Sequence, residues 1–470
     1  EAYKPLTGDN KTVCSSLKNE NAAARKTISR RGSNRGIQGS LDLSGTQPRS
    51  QGQQALQAIE SMPETTLAES AAKQAAYAQW LVDRGRDPET LAADLYTAAF
   101  FLAKASDSRA TVPTTEHLLK LLAGQPVEEV MEEAVVQAAQ NFRFFHWHLR
   151  FGEVMAKGGF DCVLGNPPWE VSQLNEIEFF TALRPEIARL AGASRKAAIA
   201  ALEHEDPLAW NEFSLAKRWF DCSNEFYRAG NFPLCAQGKV NTYQLFAEQF
   251  LKLNGPSGRS GVIVPTGIAT DNSTKAYFEA ISSDRRLVSL YDFENREAIF
   301  SGVHRSYKFA LLTLGEEVDA TDFVFFASST QQLSDSRRHF TLSADDIALI
   351  NPNTRTCPVF RSQKDAELTR MIYERVPVLI DEAMGEHGNP WGISFRQGLF
   401  NMTSDSHLFF DEPDTDRLPL YEAKLIHQYD HRWATYEADD SSRDVTLAEK
   451  QDATFRVKPR YWVAKSEVED

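Results

Sequence analysis

A short apolar strand that ends in a proline pair is the feature that most restricts how this chain can fold. Residues 160–165 spell Phe-Asp-Cys-Val-Leu-Gly, and Asn166, Pro167, Pro168 and Trp169 follow at once. An apolar run of this length predicts a buried strand, and the proline pair predicts a sharp turn at its end. Ligands of open parallel sheets bind at the carboxyl ends of strands, so this turn is a candidate site.

The segments after the turn alternate between helix and strand patterns. The apolar spacing predicts a helix over Val240–Leu253 and a strand at Val262–Val264. A further helix is expected at Asn272–Ile281, with strands at Leu287–Tyr291 and Phe309–Leu314. Alternating strands and helices predict an α/β fold with a mostly parallel sheet.

The chain before the turn differs in its charge and in the spacing of its apolar residues. Between Asp9 and Gly36 there are seven basic residues and two acids, which is typical of a solvated, flexible lead or of a loop on a phosphate backbone. Apolar residues at helical spacing in Leu91–Leu102 predict a helical segment over residues 51–140.

Composition limits the class of protein. The 470 residues have a net charge of −14 and 42% hydrophobic residues, which is an ordinary globular mixture. No apolar stretch is long enough to span a membrane, and the five scattered cysteines predict neither a disulfide scaffold nor a metal site. We expect a cytoplasmic protein. Because about half of the negative charge falls in residues 51–140 and half in the last 70, the acidic total does not argue against a nucleic-acid substrate.

The residues of the turn suit methylation of an exocyclic amino group. The side-chain oxygen of Asn166 and the carbonyl of Pro167 can accept the two amino hydrogens and stabilise the positive charge that develops on nitrogen. The ring of Trp169 can hold a base that has been flipped out of a duplex. The alternative is a structural Pro-Pro turn, in which Trp169 is a packing residue.

Six further motifs accompany the turn. They are Leu91–Phe101, Phe145–Asp161, Asn241–Phe246, Gly261–Thr266, Ala298–Phe309 and Leu418–Trp433. Together with Asn166–Trp169 they resemble the N6-adenine DNA methyltransferases, and in particular the large methylase subunits of restriction-modification and phage-defence systems. Type IIG-like and Eco57I-like methylases and those of BREX and DISARM systems are of this kind.

The resemblance implies a fold, a cofactor and roles for residues. It implies a Rossmann-like methyltransferase that uses S-adenosylmethionine and acts on double-stranded DNA by base flipping. By resemblance, Phe300 forms the second wall around the flipped base, unless it is a core residue. His146 and Trp147, with Asn166, are the local candidates for cofactor contact, although a structural histidine and a core tryptophan are equally compatible. The candidate DNA contacts are Lys308, Arg456, Lys458 and Arg460, the last three of which also fit an amphipathic strand.

The chain departs from this family before Asn166. A strand with a Gly-rich turn for the cofactor, followed by an acidic residue for its ribose, is not found there. We therefore expect a partial methyltransferase fold, completed by an amino-terminal portion of a longer protein or by a partner, which includes other defence-system subunits. The predicted segments are a flexible basic lead (1–50), a helical insertion (51–140), the catalytic region (141–320), a mixed connection (321–410) and the start of a target-recognition domain (411–470).

Other activities are less consistent with the residues. Asn-Pro-Pro loops also occur in glutamine and ribosomal-RNA methyltransferases, but about 150 residues follow the last predicted strand here, which favours a DNA enzyme. No cysteine follows a proline, as cytosine C5 methylation would require. Asp414, Glu422 and Lys424 formally match a nuclease metal motif, so an attached restriction endonuclease stays open. A non-enzymatic DNA-binding subunit of a defence complex is the third hypothesis.

Overall fold

The chain divides into two compact units. The computed structural model describes residues 2–30, 51–84, 87–395 and 398–469. The first unit spans Glu1–Ala383 and the second Met384–Asp470. Within these described ranges, no helix has the length and apolar character needed to cross a membrane.

A six-stranded sheet forms the centre of the first unit. Its strands are β1 (Phe160–Gly165), β2 (Asn254–Val264), β3 (Leu287–Glu294), β4 (Lys308–Leu314), β5 (Thr321–Ala327) and β6 (Phe340–Leu342). Their order is β1-β2-β4-β3-β5-β6. β1, β2, β3 and β5 run in one direction, whereas β4 and β6 run against their neighbours. The predicted mixed α/β fold with a mostly parallel sheet is thereby confirmed.

Helices surround this sheet and precede it. They are α1 (Lys11–Arg30), α2 (Gln51–Glu60), α3 (Leu67–Arg84), α4 (Pro88–Phe101), α5 (Thr115–Leu122), α6 (Glu129–Phe142), α7 (Trp147–Arg150), α8 (Gly152–Ala156), α9 (Glu176–Leu183), α10 (Pro185–Ala188), α11 (Gly192–Glu205), α12 (Pro207–Phe226), α13 (Thr242–Leu253), α14 (Gly267–Thr270), α15 (Lys275–Ser283), α16 (Ala344–Ile350) and α17 (Gln363–Arg375). α13 and α15 pack on one face of the sheet through Tyr243, Phe250, Tyr277 and Phe278. α4 and α6 share a separate apolar cluster that includes Leu95 and Val135.

The second unit consists of short strands. It contains β7 (Phe409–Phe410), β8 (Arg417–Leu420), β9 (Ala434–Tyr436), β10 (Ser442–Asp444), α18 (Leu447–Gln451), β11 (Tyr461–Ala464) and α19 (Ser466–Glu469). β7, β11 and β8 form one antiparallel sheet, and β9 and β10 form another. Leu425 and Tyr436 lie in the apolar core of this unit.

The strand before the proline pair occupies the edge of the sheet rather than its buried centre. β1 pairs with β2 alone, so its other side has no neighbour among the residues that the structure describes. The side chain of Leu164 is 77% exposed, and Cys162 is exposed as well. The sequence predicted a buried strand, and this prediction is wrong for the face of β1 that carries Cys162 and Leu164. An apolar strand with an open edge needs a covering element, because its unpaired amides and carbonyls would otherwise recruit other chains.

Two further boundaries differ from the sequence predictions. The sheet continues past residue 320 into β5 and β6, where we predicted a mixed connection. Part of the lead that we predicted to be flexible is helical, as α1, and the remainder of the lead, 31–50, lies outside the described residues.

Two glycines allow β1 to enter the sheet. Gly159 has φ +126°, and a Cβ there would lie 2.5 Å from the carbonyl oxygen of Leu253. At Gly165 a Cβ would lie 2.8 Å from the ring of Phe250. A larger residue at either end of β1 would therefore push the strand away from α13 and β2.

We expect Gly159→Ala to lower the free energy of unfolding by more than about 1 kcal/mol, because the new Cβ meets backbone and φ is positive. Gly302→Ala is the matched control, since a Cβ there meets nothing within 4 Å. It should change stability by less than about 0.5 kcal/mol. Urea unfolding curves measure both variants, and equal effects would contradict the close approach.

Candidate active site

The proline loop follows β1 at the carboxyl edge of the sheet. Asn166 is exposed and Pro167 is buried. Neither the side chain of Asn166 nor the carbonyl of Pro167 makes a hydrogen bond to any residue that the structure describes. Pro167 and Pro168 have no amide hydrogen, so the backbone directly after Asn166 presents carbonyl acceptors without competing amide donors. Two consecutive residues at the end of β1 therefore carry unused acceptors.

Thr242 holds the next part of the loop. Its hydroxyl donates to the carbonyl of Pro168 (2.7 Å) and accepts from the amide of Glu170 (3.0 Å). The amide of Thr242 donates to the carbonyl of Glu170 (2.9 Å). Asn241 caps α13 by accepting from the amide of Tyr243, so the residue that holds the loop is itself fixed at a helix start. The loop is thus held by hydrogen bonds from Pro168 onward, while the acceptors of Asn166 and Pro167 stay available.

Trp169 and Phe300 contact one apolar cluster. Both pack against the group that includes Phe293 and Phe309, and both are half-buried. The ring of Phe300 meets that of Phe309 edge to face at 5.1 Å. Trp169 and Phe300 make no ring contact with each other. The indole Nε1 of Trp169 is buried without a hydrogen-bond partner in the described part of the chain.

A buried asparagine fixes the position of Phe300. The side-chain oxygen of Asn295 accepts from the amide of Phe300 (3.0 Å). Its side-chain nitrogen donates to the carbonyls of Phe300 (2.9 Å) and Val303 (2.8 Å). Asn295 is fully buried, so these bonds compensate for the loss of water. Sequence reasoning missed this residue, although an asparagine that ends a strand before a turn is a usable signal.

His146 and Trp147 have structural partners. The Nε2 atom of His146 lies 2.8 Å from Oδ1 of the buried Asp94 in α4. The ring of Trp147 stacks on Phe151 (5.4 Å) and meets Phe160 of β1 edge to face (5.9 Å). These contacts connect the helical segment to β1. They fit the alternative in which His146 is a structural histidine and Trp147 a core tryptophan. The sequence prediction did not name Asp94 as a partner of His146.

The candidate DNA contacts lie in both units. In the first, Lys308 is exposed at the start of β4, with its ammonium 5.4 Å from the ring centroid of Phe326. In the second, exposed Arg456, Lys458 and Arg460 alternate with buried Val457 and Pro459. This segment forms no strand before Tyr461, yet its burial alternates as an amphipathic strand would.

The described residues fit the methyl-acceptor side of a methyltransferase site better than the cofactor side. In the stretches described before β1 there are helices and no strand that ends in a Gly-rich turn. His146, an expected contributor, is engaged by Asp94. The acceptors of the loop and the unpartnered Trp169 Nε1 remain at the edge of β1. A pocket for S-adenosylmethionine is therefore not complete within these residues.

The nuclease motif gains no support from the geometry. Glu422 accepts from the hydroxyl of Tyr436 (2.7 Å) and forms an ion pair with Lys424 (3.3 Å). Asp414 instead caps its own turn by accepting from the amide of Thr415 (2.6 Å). No group of three or more histidine, cysteine or carboxylate side chains that could hold a metal ion occurs among the described residues.

Comparison with protein families agrees with the motifs. Residues 84–197 and 215–300 match the family described as Eco57I restriction-modification methylase. The matched region includes the proline loop, α13 and Phe300. The match confirms the resemblance to restriction-modification methylases. Among curated proteins, no match to the chain was found.

Solved structures also have partial similarity to the chain. One is the type I restriction-modification system methyltransferase subunit from Streptococcus thermophilus, with 13% identity, a TM-score of 0.23, and coverage of 43% of this chain and 39% of that one. Another is a DrdV–DNA complex, with 11% identity, a TM-score of 0.21, and coverage of 43% and 16%. The chain thus spans well under two thirds of the length of either protein.

We expect Thr242→Val to loosen the loop, because the isosteric side chain can neither donate to Pro168 nor accept from Glu170. The amide of Glu170 should exchange its hydrogen roughly tenfold faster, as the loss of about one hydrogen bond implies. Thr181→Val, which removes a helix-surface hydroxyl bonded to Ile177, is the matched control. Hydrogen exchange followed by mass spectrometry measures both variants. Equal exchange in wild type and Thr242→Val would show that Thr242 does not hold the loop.

Proposed function

We propose that the amino group N6 of adenine in DNA is the substrate of this chain, whose residues 84–197 and 215–300 match the Eco57I restriction-modification methylase family. The coarser activity, DNA methylation, follows from that family. The choice of an exocyclic amino group rests on one observation: the acceptors of Asn166 and Pro167 are unused at the end of β1, whereas the next carbonyl, Pro168, is bonded to Thr242.

The chemistry of these acceptors is the basis of the proposal. The N6 lone pair of adenine is delocalised into the ring, so the nitrogen is a weak nucleophile. Hydrogen bonds from its two hydrogens to Asn166 and Pro167 favour a pyramidal nitrogen whose lone pair is free for attack. The same oxygens stabilise the positive charge on nitrogen as the new bond forms. S-adenosylmethionine, when held by the complete protein, would supply the methyl group and be released as a neutral thioether, and the proton lost from N6 would pass to water, so that no strong base is required.

The aromatic residues hold the base in this proposal. A base inside a duplex must be flipped out before its amino group can reach the loop. Trp169 and Phe300 pack on the same cluster without a ring contact between them, and in the proposal the flipped base stacks between these two rings. Asn295 keeps Phe300 in position, and Thr242 keeps Trp169 near the end of β1 through the backbone on both sides of it. Stacking on such side chains contributes about 1–3 kcal/mol per base.

We expect Asn166→Ala to reduce methyl transfer roughly 100- to 1,000-fold, the usual loss when one such electrostatic contact is removed. The full-length protein with any copurifying subunits is incubated with unmethylated genomic DNA and labelled S-adenosylmethionine. Nucleoside analysis then separates N6-methyladenine from N4-methylcytosine. Asn141→Ala, on the surface of α6, is the matched control and should transfer at the wild-type rate.

The outcomes separate the hypotheses. Equal transfer by wild type and Asn166→Ala would remove Asn166 from the reaction. If N4-methylcytosine is the product, the chemistry proposed for the loop stands, but the substrate is cytosine and not adenine. DNA binding without transfer by the wild-type protein would favour the non-enzymatic subunit, which the incomplete cofactor side also supports.

We further propose that an element outside the described residues covers β1 and completes the cofactor side. Either an amino-terminal portion of a longer protein or a partner subunit of a defence complex fits this role. The uncovered surface consists of the open edge of β1, the exposed Leu164 and Cys162, and the half-exposed Phe145 and Phe151. An apolar surface of this kind next to unpaired backbone is typical of an interface with another element.

Thiol labelling tests this covering element. In the 470-residue chain we expect Cys162 to react with maleimide, whereas the buried Cys14, Cys222, Cys235 and Cys357 do not. In the full-length protein or complete complex, labelling of Cys162 should slow by at least roughly tenfold. Cys162→Ser identifies the labelled site by mass spectrometry. Equally fast labelling in both forms would mean that nothing covers β1.

A further inference from the structure

A strained aromatic residue marks a second feature at the edge of the sheet that carries the proline loop. Phe326 has φ +59°, a left-handed conformation that bulky residues rarely adopt. It lies in a bulge of β5: Tyr291 pairs with Val324 and Phe293 with Ala327, which leaves two residues opposite Asp292. Bulges re-aim side chains and are frequent next to functional sites. The bulge turns Phe326 outward, so that 37% of it is exposed.

Asp292 holds the bulge in place. Its carboxylate accepts from the amide of Phe326 (3.0 Å) and from the hydroxyl of Thr266, which follows β2. The residue is 1% exposed, and burial raises the pKa of its carboxyl above the ordinary value, although both hydrogen bonds act in the opposite direction. Asp292 therefore connects β2, β3 and β5 at their carboxyl ends and stabilises the unfavourable φ of Phe326.

Two cations flank the exposed ring. The ammonium of Lys308 and the guanidinium of Arg361 each lie 5.4 Å from the ring centroid of Phe326. Neither forms an ion pair with a carboxylate in the part of the chain that the structure describes. Glu294 is opposite Lys308 in the register of β3 and β4, but its carboxylate bonds Arg296 at 2.8 Å. The ring thus has two cations near it without a carboxylate at ion-pair distance, although Lys308 also interacts at longer range with the buried carboxylate of Asp292, and their charges attract an anion.

The adjoining cavity determines where an anion can lie. Thr266, Lys308 and Phe326 line a cavity of about 320 Å³, which the carboxylates of Asp271 and Asp292 line as well. The exposed carboxylate of Asp271 disfavours a free anion inside the cavity. The rim, where Lys308 and Arg361 flank Phe326, is the favourable place for negative charge. A continuous anionic strand that crosses the rim fits this arrangement better than a small anion that enters the cavity.

The distance from the proline loop fits a nucleic-acid backbone. Asn166 follows β1, and Phe326 lies on β5, four strands away at the same edge of the sheet. At about 4.8 Å per strand, the separation is on the order of 19 Å, and about half of that to Lys308 on β4. A rise of 3.4 Å per base pair makes these distances roughly three to six base pairs.

We infer that Lys308, Phe326 and Arg361 form a phosphate clamp that binds the DNA backbone beside the target base, an inference that rests on the proposed DNA substrate. Lys308 and Arg361 neutralise phosphates, and Phe326 holds the two cations at a fixed spacing. Asp292 is a positioning residue, since it fixes the bulge and contacts no DNA. Sequence resemblance suggested Lys308 alone, and it gave no sign of the other three residues.

Salt-dependent binding by the full-length protein tests the clamp. Fluorescence anisotropy with a labelled duplex measures the affinity between 50 and 200 mM NaCl. Each lost phosphate contact lowers the slope of log K against log salt by about 0.9, so the K308Q/R361Q variant should lose about 1–2 in slope on any DNA sequence. Arg285→Gln, which removes an exposed cation at the opposite edge of the sheet, should leave the slope unchanged. Phe326→Leu should give an intermediate slope.

Each outcome supports or overturns the inference. A wild-type slope in the double variant, or an equal loss in Arg285→Gln, would overturn it, as would the absence of DNA binding by the wild type. If the affinity for the duplex falls more in sodium phosphate than in NaCl at equal ionic strength, Lys308 and Arg361 bind free phosphate and not the DNA backbone. Binding without methyl transfer would refute the proposed function and leave the clamp intact, so the two failures are distinguishable.

Discussion

The hydroxyl of Thr242 is the contact on which the rest of the candidate site depends. Two prolines remove the amide donors with which the loop after β1 could have bonded to itself. The loop is therefore fastened from outside, by one side chain at the start of α13 that bonds both Pro168 and Glu170. Because these bonds fall after Pro167, the acceptors of Asn166 and Pro167 remain unused. A rigid loop with free acceptors is what recognition of an amino group requires.

The sequence predicted the elements with strong local patterns. Short apolar runs bounded by glycine, proline or charged residues indicated β1 to β4, and apolar residues at helical spacing indicated α4 and α13. The proline loop and Phe300 could be selected because a resemblance covers those positions. Their roles in the reaction stay predictions. Pattern alone did not determine that β1 lies at an edge, since an apolar run has the same composition in either place.

The features that sequence reasoning missed depend on contacts between distant residues. Asp94 and His146 are 52 positions apart, and Asp292 and Phe326 are 34 apart. Asp292 is an acid within an otherwise apolar strand, and its burial is understandable only once Thr266 and Phe326 are seen beside it. β5 and β6 also lacked a clear signal, because the segment after Glu316 mixes polar and aromatic residues. Long-range pairing supplies the information that local periodicity lacks.

The open edge of β1 has a consequence for how the protein is made. A strand that exposes Leu164 and unpaired backbone is at risk of aggregation from the moment it forms. If the covering element is earlier in the same polypeptide, it has already left the ribosome when β1 emerges, and the edge is protected during synthesis. If it belongs to another chain, protection depends on the concentration of that subunit. The balance between the two gene products would then set the yield of folded protein.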